Sequence, residues 1–515
     1  MAAGLVPARR RRRHPAAVPD HGAAPLPLAS SQLPVPAFPD RAQALAWLDA
    51  ERANLVAAVQ HAAEHGPRPS AWLLADALHG YLWQGMHVVD WSAVAEAALA
   101  AAEAEGGARA QSSAQLSLAD LNLCLSRYPR AIEHYSRALA FNRQTGWLEG
   151  QAATLSKLGV AYARSGRLPE AADHHNRALA LNQRIGRLGG QAANLGNLGV
   201  VYLEQGRLHA AADHHAQALA LFQKLGYRGS QGTALGWLGE IDHAMGQLDR
   251  AVDHANAALV IQREVGDRGG EADTLRTLAG IDRDTGRLGP AFELATTAAA
   301  LAGDTGERRL QADALNTLAS VHLQRGSLPQ AQDSYRQALE LARAPRAATR
   351  YPEVVTLLGL AAAHQHLGQP DLAHGCGRQA LTLARRSGYR LLEGQALTTL
   401  ASLQLDQGQL DRASQLAGRA LAIQRATGHR LGQAHALLIL GHALHPQGAD
   451  AALPTGGRHW PCSPRSAPPR PITPTPSGPA PPPRPTTVRD RPARPAPPPG
   501  WSRPDLGCGT PEAHV

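Results

Sequence analysis

The sequence has 515 residues and a formal net charge of +9. A chain of this length exceeds what one compact core usually holds, so several domains or a repeat array is expected. Ala and Leu are plentiful, whereas Phe occurs four times, Met three times, and long β-branched runs are missing. This composition favours an all-α fold packed through small side chains.

The positive charge is concentrated at the two ends of the chain. Residues 1–37 carry five Arg and one Asp, and residues 446–515 carry eight Arg against three Asp and one Glu. The part between is nearly neutral and lacks the dense Lys and Arg that phosphate binding requires. Direct binding of nucleic acid is therefore not expected.

Prolines mark the same two ends, with eight of the 38 in residues 1–39 and 21 in residues 446–515. Pro-rich, weakly apolar sequence cannot bury enough surface to order itself, so residues 1–38 and 446–515 are predicted to be disordered. No apolar stretch reaches the ~20 residues that span a bilayer. The four cysteines, Cys124, Cys376, Cys462 and Cys508, lack metal-ligand spacing, and reduced thiols in a cytoplasmic protein are expected.

Residues 39–106 read as a helical lead-in domain. Asp40 is a candidate N-cap for a helix that continues to residue 65, where Gly66 follows as a stop signal. Two further helices are predicted near residues 69–85 and 90–105. They and the first helix carry four of the eight tryptophans, as suits a domain that caps a longer array.

Residues 107–445 contain a 40-residue repeat. Leu158-Gly159 recurs at 40-residue steps through Leu318-Ala319, and turn glycines and second-helix alanines such as Gly166 and Ala171 follow the same period. Pro169 shares its repeat position with Pro129 and Pro329, just inside a second helix, where a missing N–H is tolerated. Each unit is therefore predicted to be a helix-turn-helix, and the whole to be a helical solenoid.

The later units are predicted to lie at Leu358-Gly359, Leu400-Ala401 and Leu440-Gly441, after an insertion near residues 343–352. This gives eight repeats and a half repeat that stops at Pro446. An end repeat normally presents a polar face, yet residues 437–440 are apolar. Shielding by the tail, self-association through this helix and a change of reading frame near residue 446 all remain open.

The pattern formed by Leu158-Gly159, Tyr162, Ala171 and Ala178 resembles the tetratricopeptide repeat, lengthened to 40 residues. The resemblance implies a right-handed superhelix with a concave groove that binds a protein or peptide. Extrapolated onto this sequence, it implies a peptide-binding groove made of first-helix residues: Ser156, Lys157, Asn197, Glu204, Trp237, Arg276 and Asn316.

A second resemblance covers residues 38–59. The sequence from Ala44 to Leu55 is similar to the segment that precedes the tetratricopeptide region of Streptomyces antibiotic regulatory proteins and related NB-ARC-type signalling ATPases. Neither Lys157 nor Lys224, the only lysines, belongs to a GxxxxGK[ST] phosphate loop. Nucleotide binding is not expected, and because the DNA-binding and ATPase domains of that family are missing from this sequence, a regulatory role would need a separate partner or a longer natural chain.

The repeated pairs His174-His175 and His214-His215 raise the question of a metal site. Equivalent residues of successive units lie about 10 Å apart, too far to share one ion. His175 and His215 occupy the repeat position of Tyr135 and Tyr335, which indicates a packing role. No metal, cofactor or catalytic signature is predicted, so the leading hypothesis is a binding scaffold or sensor that is not an enzyme, and the alternative is the repeat portion of a transcriptional regulator.

Overall fold

A computed structural model of the chain describes residues 38–344 and 350–444. Within these two stretches every regular element is an α-helix, and the helices number twenty. The first three are α1 (Arg41–His65), α2 (Arg68–Gln84) and α3 (Val88–Glu105). The remainder are α4 (Ala108–Cys124), α5 (Tyr128–Gln144), α6 (Leu148–Arg164), α7 (Leu168–Arg184), α8 (Leu188–Glu204), α9 (Leu208–Leu225), α10 (Arg228–Ala244), α11 (Leu248–Val265), α12 (Arg268–Asp284), α13 (Leu288–Thr305), α14 (Arg308–Gln324), α15 (Leu328–Arg343), α16 (Tyr351–His366), α17 (Pro370–Ser387), α18 (Arg390–Asp406), α19 (Leu410–Thr427) and α20 (Arg430–Leu444).

The lead-in helices α1 to α3 begin at Arg41, Arg68 and Val88. Asp40 caps α1, because its carboxylate accepts a hydrogen bond from the Gln43 backbone N–H at 2.8 Å. Trp91 of α3 is fully buried, and its indole N–H donates to Ser117 of α4 at 2.9 Å. This bond satisfies the polar end of a buried indole and joins the lead-in helices to the repeats.

From α4 onward the helices alternate as the first and second members of antiparallel pairs. Leu198 of the first helix α8 and Ala211 of the second helix α9 are both fully buried. Between them Gly206 has φ +73°, a left-handed conformation that glycine adopts without steric cost. Pro169 lies in the first turn of α7, as its repeat position predicts. The all-α helix-turn-helix solenoid is therefore confirmed.

One predicted register is wrong. The pair equivalent to Leu318-Ala319 in helix α16 is Leu360-Ala361, which is buried, and not Leu358-Gly359. Gly359 occupies the repeat position of Trp237, whose ring stacks on His215 of the preceding unit. A Cβ on Gly359 would likewise meet the preceding unit, at 2.2 Å from the ring of Tyr335. The two extra residues precede α16, within the region of residues 343–352, so they shift the register of α16 and of every later helix.

The solenoid curves tightly enough to touch itself. A Cβ built on Gly206 would meet Thr427 Cγ2 at 2.5 Å and the Leu391 backbone nitrogen at 3.2 Å, although these residues belong to a helical pair five pairs further along. Leu168 and Val201 share one hydrophobic cluster with Val354 and other residues of α16 to α18. Because the edges of two successive turns pack together, the first helices enclose the inside of the solenoid.

The last described helix, α20, is half buried. Ile439 is 1% exposed, whereas Leu437, Leu438 and Leu444 are 49%, 44% and 63% exposed. Self-association through this face stays a prediction, as do the domain boundaries at residues 38, 106 and 445. The predictions for residues 1–37 and 445–515 lie outside the described residues. Among the helices that the structure describes, none is both long and apolar enough to cross a membrane.

Candidate functional site

Charged residues from four successive first helices converge inside the solenoid. Arg276 of α12 donates to Glu240 of α10 at 2.7 Å and to Asp273 of its own helix at 2.8 Å. On α14, Arg309 donates to Asp313 at 3.0 Å. Glu204, the last residue of α8, lies within the electrostatic influence of Arg309. These six residues form what we call the inner cluster: Glu204, Glu240, Asp273, Arg276, Arg309 and Asp313.

A fifth first helix, α16, meets the inner cluster at its start. The hydroxyl of Tyr351 experiences the charges of Glu240, Glu204 and Asp313, which belong to three different helices. Burial first, and then these carboxylates, raises the pKa of Tyr351 well above its ordinary value. Side chains from four other first helices can approach this tyrosine only on the inside of a strongly curved array.

The inner cluster is recessed but remains in contact with solvent. The side chains of Arg276, Glu240 and Asp273 are 19%, 26% and 27% exposed, and those of Arg309 and Asp313 are 29% and 15% exposed. With every group ionised, four carboxylates face two guanidinium groups, so the inner cluster carries a surplus of two negative charges.

Burial affects the carboxylates of the inner cluster unequally. It raises the pKa of Glu204 to about 7, which Arg309 only partly opposes. It likewise raises the pKa of Asp313 to about 6, although Arg309 and Arg276 act in the opposite direction. Burial alone would also raise the pKa of Asp273, but Arg276 and Arg309 outweigh it and lower the pKa instead. Two carboxylates are therefore poised to exchange protons near neutral pH.

Two of the predicted groove residues, Glu204 and Arg276, belong to the inner cluster, and Asn316 lies beside it. Asn316 is 4% exposed, and neither atom of its side-chain amide has a hydrogen-bond partner. It follows Asp313 by three residues and Arg309 by seven on α14, so the three share one face of that helix.

The other predicted groove residues lie apart from the inner cluster or have internal partners. The ammonium group of Lys157 contacts both carboxylate oxygens of the buried Asp120 at 2.7 and 2.8 Å. Trp237 stacks on His215 with ring centroids 5.9 Å apart. Ser156 and Asn197 are half-buried on α6 and α8. A binding role for the predicted set remains a prediction.

Sequence reasoning missed Glu240, Asp273, Arg309, Asp313 and Tyr351, yet a signal for some of them exists. Arg276 and Glu240 are 36 residues apart, and Lys157 and Asp120 are 37 apart. These separations equal the 40-residue period minus one helical turn of three or four residues. Side chains on neighbouring first helices therefore face each other when their repeat positions differ by one turn. A search for opposite charges at that spacing finds both pairs.

The histidines have the packing role that the sequence predicts. His175 and His215 are 1% and 2% exposed, like Tyr135 and Tyr335 at the equivalent position. Their rings fill the space beside Gly159 and Gly199, where a Cβ would approach the imidazole to 2.5 Å. Within the described residues, no group of three His, Cys, Asp or Glu side chains has the geometry to hold a metal ion.

Several solved structures are similar to parts of this chain at low sequence identity. A Rap protein complexed with competence and sporulation factor is 14% identical, with a TM-score of 0.49, over 74% of this chain and 99% of its own. The quorum sensor NprR of B. thuringiensis is 16% identical, with a TM-score of 0.46, over 66% of this chain and 96% of its own. A signal transduction ATPase with a tetratricopeptide repeat sensor, from Pyrococcus horikoshii, is 16% identical, with a TM-score of 0.42, over 65% of this chain and 50% of its own.

Sequence comparison identifies the repeats themselves. A search of curated proteins finds no match. One tetratricopeptide repeat profile matches residues 150–224, 230–304 and 352–448, and a second matches residues 311–344. Together these segments cover more than half of the chain. The chain therefore belongs to the tetratricopeptide repeat family.

Proposed function

We propose that this protein is a cytoplasmic scaffold or sensor that binds a peptide or a segment of a partner protein on the inside of its solenoid, without catalytic activity of its own. The observation that carries the proposal is the convergence of polar side chains from five consecutive first helices around the inner cluster. Glu204 and Asn316 contribute buried polar atoms that have no hydrogen-bond partner.

Buried polar atoms that lack a hydrogen-bond partner favour the binding of a ligand that supplies one. Leaving such an atom unsatisfied costs about 1–3 kcal/mol, so a bound group that restores the hydrogen bond gains that energy. The amide of Asn316 offers a donor and an acceptor, which matches the alternating N–H and C=O groups of a peptide backbone. An extended peptide also reaches several first helices at once.

Photocrosslinking from within the solenoid tests this proposal. A p-benzoylphenylalanine replaces Trp237, a half-buried residue of the first helix α10. The matched control carries the same group in place of Val260, which is 66% exposed on the second helix α11. After irradiation in a lysate of the source organism, we expect a defined adduct with the Trp237 variant alone.

Mass spectrometry of the adducts then identifies the bound species. The same set of adducts from both variants would mean that the inside of the solenoid has no binding preference, and would overturn the proposal. Adducts with the Val260 variant and none with the Trp237 variant would also overturn the proposal, because they would place the interaction on the outer surface.

The second candidate is the repeat portion of a transcriptional regulator. It is favoured by the segment Ala44 to Leu55, which forms the middle of α1 and resembles the sequence that precedes the repeats in Streptomyces antibiotic regulatory proteins. The nucleotide sequence upstream of the Met1 codon tests it. Continuous coding sequence for a DNA-binding domain and an ATPase domain would support this function, and a ribosome-binding site directly before Met1 would oppose it.

A further inference from the structure

The inner cluster has more acidic than basic groups, and this imbalance indicates which ligand it accepts. We propose that it binds a cationic group, the guanidinium or ammonium of an Arg or Lys side chain in a peptide that lies inside the solenoid. The inference rests on the proposed function and adds to it the chemical class of the ligand.

Internal ion pairs leave part of the negative charge uncompensated. Arg276 is shared between Glu240 and Asp273, and Arg309 contacts Asp313. Glu204 keeps one carboxylate oxygen, Oε2, that is inaccessible to water and accepts no hydrogen bond. A guanidinium or ammonium donor beside it would satisfy this oxygen and offset the surplus charge.

Asn316 is a second and independent indication of a ligand. It is almost completely buried, its amide has no partner, and it lies on the same face of α14 as Arg309 and Asp313. An amide at this place can hold the backbone of a peptide while the neighbouring carboxylates hold its charged side chain. A free metal ion would leave the donor of that amide unused.

The titration of the inner cluster fits the same ligand. Glu204 and Asp313 have raised pKa values of about 7 and about 6, so both carry protons for part of the time near neutral pH. The groups facing them are Arg309 on the same helix as Asp313, Arg276 and Asp273 on α12, Glu240 on α10, and Tyr351 on α16. A bound cation would displace these protons, so binding should weaken as the pH falls from about 7 through about 6.

Selection from a library of short random peptides displayed on phage tests the proposal on the full chain. The variants are the double substitution Glu204→Gln with Asp313→Asn, and a control that removes two exposed carboxylates, Glu293→Gln with Asp333→Asn. Neutral amides resemble the protonated carboxylates in shape, so the first variant should fold, which circular dichroism checks. The peptide that binds most tightly is then synthesised in two versions, one with its basic residue and one with Gln at the same position.

We expect enrichment of Arg or Lys, and a loss of affinity of about tenfold or more when that residue becomes Gln. The variant with Glu204→Gln and Asp313→Asn should lose a similar amount of affinity for the basic peptide. The control variant should bind that peptide as tightly as the unchanged protein does. Selected peptides without basic enrichment, or equal binding by the two variants, would overturn the cation preference and leave the proposed function standing. Selection of no peptide at all would count against both.

Discussion

At the scale of single residues, Asp120 connects the lead-in helices to the first repeats. It is 7% exposed, and it accepts hydrogen bonds from His79 of α2, Tyr135 of α5 and Lys157 of α6. Burial alone would raise the pKa of Asp120, but Lys157 and His79 outweigh it and hold the pKa well below its ordinary value. The carboxylate is therefore charged and compensated in the folded protein.

Replacing Asp120 with alanine should destabilise the fold strongly. The substitution leaves Lys157 and His79 without their acceptor, and breaking a buried pair in this way costs about 3–5 kcal/mol. Chemical denaturation gives the free energy of unfolding. Asp173→Ala is the control, because Asp173 is 59% exposed and its pair with Arg177 should contribute at most about 0.5 kcal/mol. Equal losses from both variants would contradict the connecting role of Asp120.

Lys157 shows what the sequence can and cannot predict about one residue. The repeat register correctly indicates that it lies on a first helix and does not pack into the core like Leu158. Its partner Asp120 belongs to the neighbouring unit, on the first helix α4. The register determines which face of a helix a residue occupies, whereas the ion pair depends on which charge the adjacent helix presents.

At the scale of helices, four of the second helices, α5, α7, α9 and α15, carry a tyrosine or a histidine at one packing position. The hydroxyl of Tyr135 reaches Asp120, and His175 bonds to Asn194 at 3.2 Å. Nε2 of His215 has no partner. The repeat pattern predicts that this position is buried, but the polar partner depends on the first helices opposite and varies from unit to unit.

The buried histidines should make the solenoid less stable in mild acid. Burial lowers the pKa of His175 to about 4 and that of His215 to about 3, against 6.5 in the unfolded chain. Below pH 6.5 the unfolded state therefore binds protons that the folded state does not, and stability falls as the pH drops. At pH 5 each histidine should cost about 2 kcal/mol relative to pH 7.5.

Urea unfolding at these two pH values measures the effect. The double variant His175→Phe and His215→Phe should lose about 4 kcal/mol of the pH dependence, because its aromatic rings do not titrate, and should keep the part that the buried His429 contributes. His65→Gln should retain the dependence, since His65 is 63% exposed. An unchanged pH dependence in the double variant would show that other groups, such as the buried His429, dominate the acid response.

At the scale of the whole molecule, contact between successive turns of the solenoid was not predictable from the sequence. The repeat determines the helices and their pairing, but the curvature depends on small rotations that accumulate over many units. Leu168 and Val354 therefore share a hydrophobic cluster although they are far apart in the chain. The same curvature brings Glu204 and Tyr351 close enough to interact.

Alanine substitutions at two turn glycines distinguish backbone strain from disruption of the contact between successive turns of the solenoid. Gly206 and Gly286 have φ values of +73° and +80°, so alanine at either should cost about 1–2 kcal/mol in backbone strain. A Cβ at Gly286 meets nothing within 4 Å, whereas a Cβ at Gly206 lies 3.2 Å from the backbone nitrogen of Leu391 and closer still to Thr427.

We therefore expect Gly206→Ala to destabilise the protein more than Gly286→Ala and to push the two turns of the solenoid apart. Small-angle X-ray scattering should give a larger radius of gyration for the Gly206 variant alone. Because Glu204 is only two residues from this turn, the same variant should also weaken peptide binding at the inner cluster. Identical scattering and stability for the two variants would mean that the turns do not touch in solution.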